Sequence, residues 1–587
     1  MSTSVISYAP FQVSCPHNQN YTRTADSLSN DEKNWLQGRK KITNEKLISF
    51  LEYANLVDFN PSEFINNSSI GNIGLAFSGG GYRAMLAGAG MLAALDERVD
   101  NANVNGLGGL LQASSHIIGL LGGNWLTGTV FMNNFTSVQN ILSSDLLWQL
   151  ENSILNPGGL DLVDTIQYYQ NIKDDIDAKE RAGFEVTITD TWGRALSDQF
   201  LTDTKDNGAS ARWSDIANNQ LFETFQTPFP ISIANARYPN NIIINSNSTI
   251  VELNPFEVGS WDPSLYQFTP TKYLGTKLYN GAANGSCIRG FDNAGFIMGT
   301  SSSLFNSILT TINTEYIPAA ASGIAKCVLQ DIAKTDEDIA AYKPNPFYHT
   351  KTGYSADLSN HETLALVDGG EDKENVPFYP LLQPERNMDV IFGFDVSSDT
   401  DQHWPDGTAL VSPYERQFSD QGNGTVFPYV PDQRTILNLN LTAKPAFFGC
   451  NAKNLTSLGG GTNTPLIVYT ANRPFTAWSN TSTFKLSYQE WEKRGMIQNG
   501  YETATRLNGT LDKDWPACVG CAIIRREQER QGLEQSDQCK KCFEKYCWDG
   551  TIDDDEVPGV NFTDEGITSG NNESGNRTLT KFRDNLL

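Results

Sequence analysis

The chain has 587 residues, 39% of them hydrophobic and 11% aromatic, enough for a sizeable buried core and unlike a disordered composition. Its 43 basic and 68 acidic residues leave a net charge of -25. Such a surface is repelled by nucleic acid and by anionic membranes, so neither is an expected partner.

In chain order, Ser29-Asn30-Asp31-Glu32 is a capping-box pattern that opens a charged helical region. Leu47, Ile48, Leu51 and Ala54 then recur at helical spacing and give an amphipathic helix that packs on the main body. From Ile70 onward strand and helix alternate. Residues 73–77 are a short apolar run ending in Ser78-Gly79-Gly80-Gly81, and 82–95 are apolar nearly all round, as in a buried helix. Residues 116–120 repeat the strand, followed by glycines and a helix from about Asn124. A third strand, 364–367, ends at Asp368-Gly369-Gly370 and runs into Glu374-Asn-Val-Pro-Phe, and 390–394 read as another buried strand. Strand, glycine turn and helix in repetition argue for a three-layer α/β/α core. Residues 135–350 and 400–510 read as long insertions, with a helix over 160–179. The expected organisation is a helical lead-in over 1–66, one catalytic domain over 67–548 and a polar, disordered tail over 549–587.

No run reaches the ~18 uninterrupted apolar residues a membrane helix needs. The best candidate, 107–132, is broken by Gln112, His116, Asn124 and several glycines. The amino terminus shows no basic n-region or apolar h-region, and the carboxyl terminus TKFRDNLL has no apolar anchor tail, so a soluble chain without a legible export signal is expected. Two features point instead to export. Asn-x-Ser/Thr sequons occur at Asn20, Asn66, Asn67, Asn134, Asn247, Asn284, Asn423, Asn440, Asn454, Asn480, Asn508, Asn561, Asn572 and Asn576, and their spread favours a glycosylated surface. The second feature is the nine cysteines. Cys518-x-x-Cys521, Cys539-x-x-Cys542 and Cys547 have the spacing of a zinc site in a cytosolic protein and of disulfides in an exported one. The sequons, with Cys15, Cys287, Cys327 and Cys450 as singletons, favour disulfides; the odd count leaves one thiol over, and pairing is not legible.

Chemistry concentrates at three strand ends. Gly119-Leu120-Leu121-Gly122-Gly123 occupies a strand-to-helix junction; with serine third it would be G-x-S-x-G, the elbow that lifts a nucleophile above the sheet edge, and otherwise it is a glycine turn that packs helix on strand. Ser78-Gly79-Gly80-Gly81-Tyr82-Arg83 exposes backbone N–H groups at the positive end of a helix, a fit for a phosphate or for the oxyanion of an ester under attack. It lacks the G-K-[ST] of a Walker loop and the spacing of a dinucleotide fingerprint. Arg83 offers a phosphate a charge-assisted bond, or in isolation a structural salt bridge. Asp368 stands at the carboxyl end of an apolar strand, where open α/β sheets place ligand-handling residues, although Asp-Gly-Gly is also a common turn. The five histidines, His17, His116, His349, His361 and His403, lie in no partner motif, so a Ser–Asp dyad suits an ester hydrolase here better than a triad.

Taken together, GLAFSGGGYRAMLAGAGML, GLGGLLQ, GLLGGNWLTGT, PFEVGSWDPSL, FDNAGFIMGTSSSLFN, LALVDGGEDKENVPFYPLL and DWPACVGCAIIRR resemble the fungal phospholipase B/lysophospholipase family, which shares a patatin-like catalytic domain with cytosolic phospholipase A2. The resemblance runs from about Ser7 to Thr551. It implies a secreted or cell-wall glycoprotein that removes acyl chains from phospholipids and lysophospholipids at a membrane or micelle surface, with no cofactor and no metal. It further implies Gly80 and Gly81 as the oxyanion hole, Arg83 as the phosphate-binding residue and Asp368 as the base. The family's nucleophilic serine falls on Leu121, which has neither a lone pair to attack with nor a proton for Asp368 to take. Three accounts follow: residue 121 is serine in the working enzyme, because some yeasts read the CUG codon as serine; the chain is a catalytically inactive lipid-binding or cell-wall homologue; or the nucleophile has been substituted.

Overall fold

The computed structural model describes residues 7–16, 20–202, 204–238, 243–306, 338–351, 353, 357–422 and 424–555. Helix α1, Asn30–Ala54, starts where the sequence places it, with Ser29 Oγ accepting the Glu32 N–H at 3.0 Å. Glu32 does not turn back to the cap. Its carboxylate runs inward to Arg386, 3.0 Å away, and faces His116 at 3.4 Å, while Arg386 also holds Glu252 at 2.7 Å. The buried Arg39 donates from the same helix to the carbonyls of Gln112, Ser114 and Phe225, so α1 is bonded to the segment that leads into the elbow strand.

The core is a twelve-stranded mixed sheet. Its parallel centre is formed by β1 (Asn72–Phe77), β2 (His116–Gly119), β3 (Phe229–Arg237), β6 (Met388–Asp395) and β7 (Leu466–Ala471), in the spatial order β7-β6-β1-β2-β3. Strand β4 (Thr249–Leu253) extends the sheet antiparallel to β3. Strands β6 and β7 are buried throughout, which is why they read as continuous apolar runs rather than alternating ones. Helices α2 (Gly81–Leu95), α3 (Leu121–Met132) and α4 (Glu490–Ala504) pack together, while α5 (Trp515–Gln531) packs on β6 and α1, giving the expected α/β/α arrangement.

Three expectations change. The regions read as insertions supply β3, β4 and β7, hence much of the sheet; β3, FPISIANAR, leads into no glycine turn and helix and so lacks the signal that marked β1 and β2. Helix α3 begins at Leu121, three residues before the expected Asn124, because the glycines lie inside its first turn. The third strand, β5 (Leu364–Asp368), does not join the parallel run: it pairs antiparallel with β3 and is followed by a loop and a 3-10 turn at Tyr379–Leu382.

Eight cysteines form four disulfides, Cys15–Cys287, Cys450–Cys547, Cys518–Cys542 and Cys521–Cys539. The last two cross-link α5 to α6 (Asp537–Tyr546), which leaves no thiolate of the C-x-x-C quartet for zinc. Cys327 lies outside the described residues, as does most of the expected tail. No helix among the described residues is long and apolar enough to cross a membrane.

Candidate active site

Strand β1 delivers the chain through Ser78 and Gly79 into the first turn of α2. Gly80 has φ +136° and Gly81 φ +62°, conformations that L side chains rarely adopt. Space is also closed to a side chain: a Cβ on Gly80 would lie 2.5 Å from Arg83 Nη2, and one on Gly81 2.4 Å from the Thr483 carbonyl oxygen. The cradle is held from β6, where the Val396 N–H donates to Ser78 Oγ at 2.7 Å and the Ser78 N–H donates to the Phe394 carbonyl at 3.1 Å.

The elbow follows β2. Leu121 has φ +47°, in the left-handed region, which costs a non-glycine residue about 1–2 kcal/mol. Its N–H donates to Ser301 Oγ at 3.1 Å and lies 3.2 Å from the Ser301 carbonyl. The turn sits directly on the cradle: a Cβ on Gly122 would lie 2.0 Å from the Gly81 carbonyl, and one on Gly79 would lie 3.2 Å from Leu121 Cβ. Leu121 is 4% exposed and belongs to the main core. Ser114, Ser115 and Thr127 are not on the turn, and their hydroxyls donate to the carbonyls of Leu110, Ile73 and Asn124 respectively.

Asp368 reaches the same place from the opposite direction. Strand β2 runs parallel to β3 and ends with Gly119 beside Ser232; β5 runs antiparallel along the same edge of β3 and ends with Asp368 beside Ala234. The two strand ends therefore meet nose to nose, two β3 residues or about 7 Å apart along the strand. Asp368 is 1% exposed. Its Oδ1 accepts the Gly370 N–H at 2.8 Å, and its buried Oδ2 has no hydrogen-bond partner within 3.5 Å among the described residues. Burial, with the charge of Glu371 second, holds this carboxyl well above the usual carboxylate range; the amides of Gly370 and Leu304 offset part of the rise.

Arg83 is fully buried on the first turn of α2. Nε donates to the Val396 carbonyl at 3.0 Å, and Nη1 donates to the Thr481 carbonyl at 2.8 Å and to Thr483 Oγ1 at 3.0 Å. Nη2, beside Gly80, is buried and has no hydrogen-bond partner among the described residues. Burial draws its pKa down to about 10, against the opposing pull of Tyr488, Asp399 and Asp395. None of the described histidines joins the three strand ends. His116, the first residue of β2, is engaged with Ser115 and Glu32, His349 lies among Tyr279 and Tyr348, and His403 bonds Ser398 within electrostatic reach of Arg83; His17 is outside the described residues.

Sequence reasoning placed Leu121, Gly80, Gly81, Arg83 and Asp368, and the fold brings all five strand-end residues together. It did not single out Ser301, Asn375 or Thr483: the first two lie inside segments that carry the family resemblance but in no chemical motif of their own, and Thr483 reaches Arg83 from a loop 400 residues further along the chain. Of the sequon asparagines, Asn20, Asn66, Asn67, Asn134, Asn247, Asn284 and Asn454 are exposed, and Asn440 and Asn508 are half-buried. Asn480 is 6% exposed, with Nδ2 donating to the Gln402 carbonyl at 2.8 Å. Asn423, Asn561, Asn572 and Asn576 fall outside the described residues.

The mixed α/β fold is similar to that of human group IVD cytosolic phospholipase A2, which superposes with a TM-score of 0.64 at 15% identity, over 89% of this chain and 72% of that one. The chain belongs to the lysophospholipase catalytic domain family, whose model matches residues 73–553. It is 51% identical to lysophospholipase 1 of Candida albicans over 580 residues, covering 98% of this chain and 95% of that one. Similar relatives are lysophospholipase 2 of Candida albicans (51% over 565 residues, 96% and 92%) and the lysophospholipase of Torulaspora delbrueckii (50% over 572 residues, 95% and 88%).

Proposed function

We propose that this lysophospholipase hydrolyses acyl esters of phospholipids and lysophospholipids through a Ser–Asp dyad, and that residue 121 is serine in the working enzyme. The observation that carries the reading is a site complete but for one hydroxyl. A residue in a strained left-handed turn packs on a glycine cradle, and among the described residues the buried Oδ2 of Asp368 has no hydrogen-bond donor. An orphaned buried acceptor costs about 1–3 kcal/mol, a cost that a serine hydroxyl at residue 121 would relieve.

In this reading Arg83 Nη2 takes the substrate phosphate and orients the ester. Asp368 accepts the proton of the serine Oγ as Oγ bonds to the acyl carbonyl carbon, and the carbonyl electrons move onto oxygen, held by the N–H groups of Gly80 and Gly81. The carbon–oxygen bond to the glycerol breaks and Asp368 returns its proton to that oxygen. Water then repeats the sequence and frees the fatty acid. The raised pKa of Asp368 suits a group that must both take and give a proton. Four disulfides and the exposed sequons support a secreted or wall-bound glycoprotein, with Asn480 the one described sequon whose buried, bonded amide presents no acceptor.

The mass of the natural peptide spanning residue 121 tests this. Serine, with a CUG codon, is the expected result; any other codon ends the decoding account. A second reading, an inactive phospholipid-binding homologue, is favoured by how fully Leu121 is absorbed into the core. Protein verified to carry leucine that still releases fatty acid from lysophosphatidylcholine would exclude it.

A further inference from the structure

The geometry points to Asn375 as a positioning residue that sets the direction of the Gly80 N–H and locks the glycine cradle to the turn behind Asp368. This rests on the reading of the site as catalytic and deepens it. The backbone carbonyl of Asn375 accepts the Gly79 N–H at 3.1 Å, and its Nδ2 donates to the Gly79 carbonyl at 3.2 Å, so one residue grips both polar backbone groups of Gly79. The Gly79 carbonyl and the Gly80 N–H belong to the same planar peptide unit and point in opposite directions. Whatever holds that carbonyl therefore aims that N–H. Gly80, at φ +136°, has little intrinsic preference to do so itself.

The side chain is anchored on its far side. Nδ2 also donates to Ser397 Oγ at 2.6 Å; the Ser397 hydroxyl and N–H (2.9 Å) both donate to Asp395 Oδ1, and Asp395 Oδ2 accepts the Tyr469 hydroxyl at 2.7 Å. The chain of bonds ends on β6 and β7, the rigid centre of the sheet. Asn375 Oδ1 occupies the gap between the two halves of the site: it lies 2.4 Å from where a Cβ on Gly79 would be and 2.7 Å from where one on Gly370 would be. A single amide thus spaces the cradle from the base turn, and neither glycine tolerates a side chain while it is there.

An oxyanion donor acts on the transition state, so its misdirection lowers kcat and leaves ground-state binding almost untouched. The test uses the full chain carrying serine at 121, confirmed by peptide mass, with lysophosphatidylcholine as substrate. Asn375→Ala is expected to lower kcat about 10- to 100-fold, with KM within about threefold of the parent. Asn375→Asp replaces the donor with an acceptor facing the Gly79 carbonyl, so its loss of kcat is expected to be at least as large as that of Asn375→Ala. A kcat within threefold of the parent, or a loss confined to KM, overturns the proposal. If Asn375→Ala does not fold, Ser397→Ala decides by the same split, with a loss of about 3- to 10-fold expected in kcat alone. A parent that does not turn over at all refutes the catalytic reading and this inference with it, an outcome distinct from an active parent indifferent to residue 375.

Discussion

Replacing Leu121 by serine sets two opposed effects against each other. Removing a leucine that is 4% exposed in the main core costs about 2–5 kcal/mol when nothing replaces it. A serine hydroxyl gives the buried, unbonded Oδ2 of Asp368 a donor and recovers about 1–3 kcal/mol. Leu121→Ser is therefore expected to be about 1–3 kcal/mol more stable than Leu121→Ala, which creates the same space without the hydroxyl and carries the full core cost. The difference between the two variants isolates the hydroxyl, and it should vanish in an Asp368→Ala background, which can neither accept from nor donate to a serine hydroxyl, if the two side chains meet. Chemical denaturation of the four proteins measures the cycle, and fatty acid release from lysophosphatidylcholine measures the gain of turnover. Equal stabilities for Leu121→Ser and Leu121→Ala, or no release from the serine protein, would refute the pairing of residue 121 with Asp368.

Asp368→Asn in the serine chain keeps the Gly370 contact but removes the base, so turnover should fall by about 10²–10⁴ while the fold, relieved of a buried acid, melts no lower than the parent; a retained rate would remove Asp368 from the mechanism. Stability should decline as pH rises from about 5 to 8. Burial lifts Glu371 to about 7, Asp372 to about 6 and Glu374 to about 8, so between the ordinary carboxylate pKa and these values the folded chain binds more protons than the unfolded one. Glu371 alone accounts for about 3 kcal/mol at most, and a melting temperature higher at pH 8 than at pH 5 would contradict the assignment. In protein purified from its natural host, glycopeptide mapping should find sugar on the exposed sequons Asn20, Asn134, Asn247, Asn284 and Asn454, and none on Asn480; occupancy at Asn480 would require the loop bonded to Gln402 to open.

The candidate site was legible to the extent that its chemistry is local. Gly80, Gly81 and Leu121 announce themselves because a chain that turns sharply from a buried strand into a helix must place glycine beside it, and Asp368 because it closes an apolar run at a glycine pair. What a string of residues hides is direction. Nothing in LALVDGG distinguishes a strand that joins the parallel run from one that enters antiparallel, yet the second arrangement is what brings Asp368 up against the end of β2. Likewise Glu32 reads as one half of a capping box and becomes the partner of Arg386, because the charge nearest in space is 354 residues away in sequence.

By itself the sequence determined the alternation of buried strands and helices, the glycine turns, the residues that stand at them and the family those turns belong to, since each depends on neighbours within a few positions. The tertiary structure alone decided that the supposed insertions build much of the sheet, which cysteines pair, and that Asn375 reaches both the cradle and the base turn. Those outcomes depend on which distant segments share an edge or a cavity, and backbone pairing and burial settle that only when the whole chain has closed around its core.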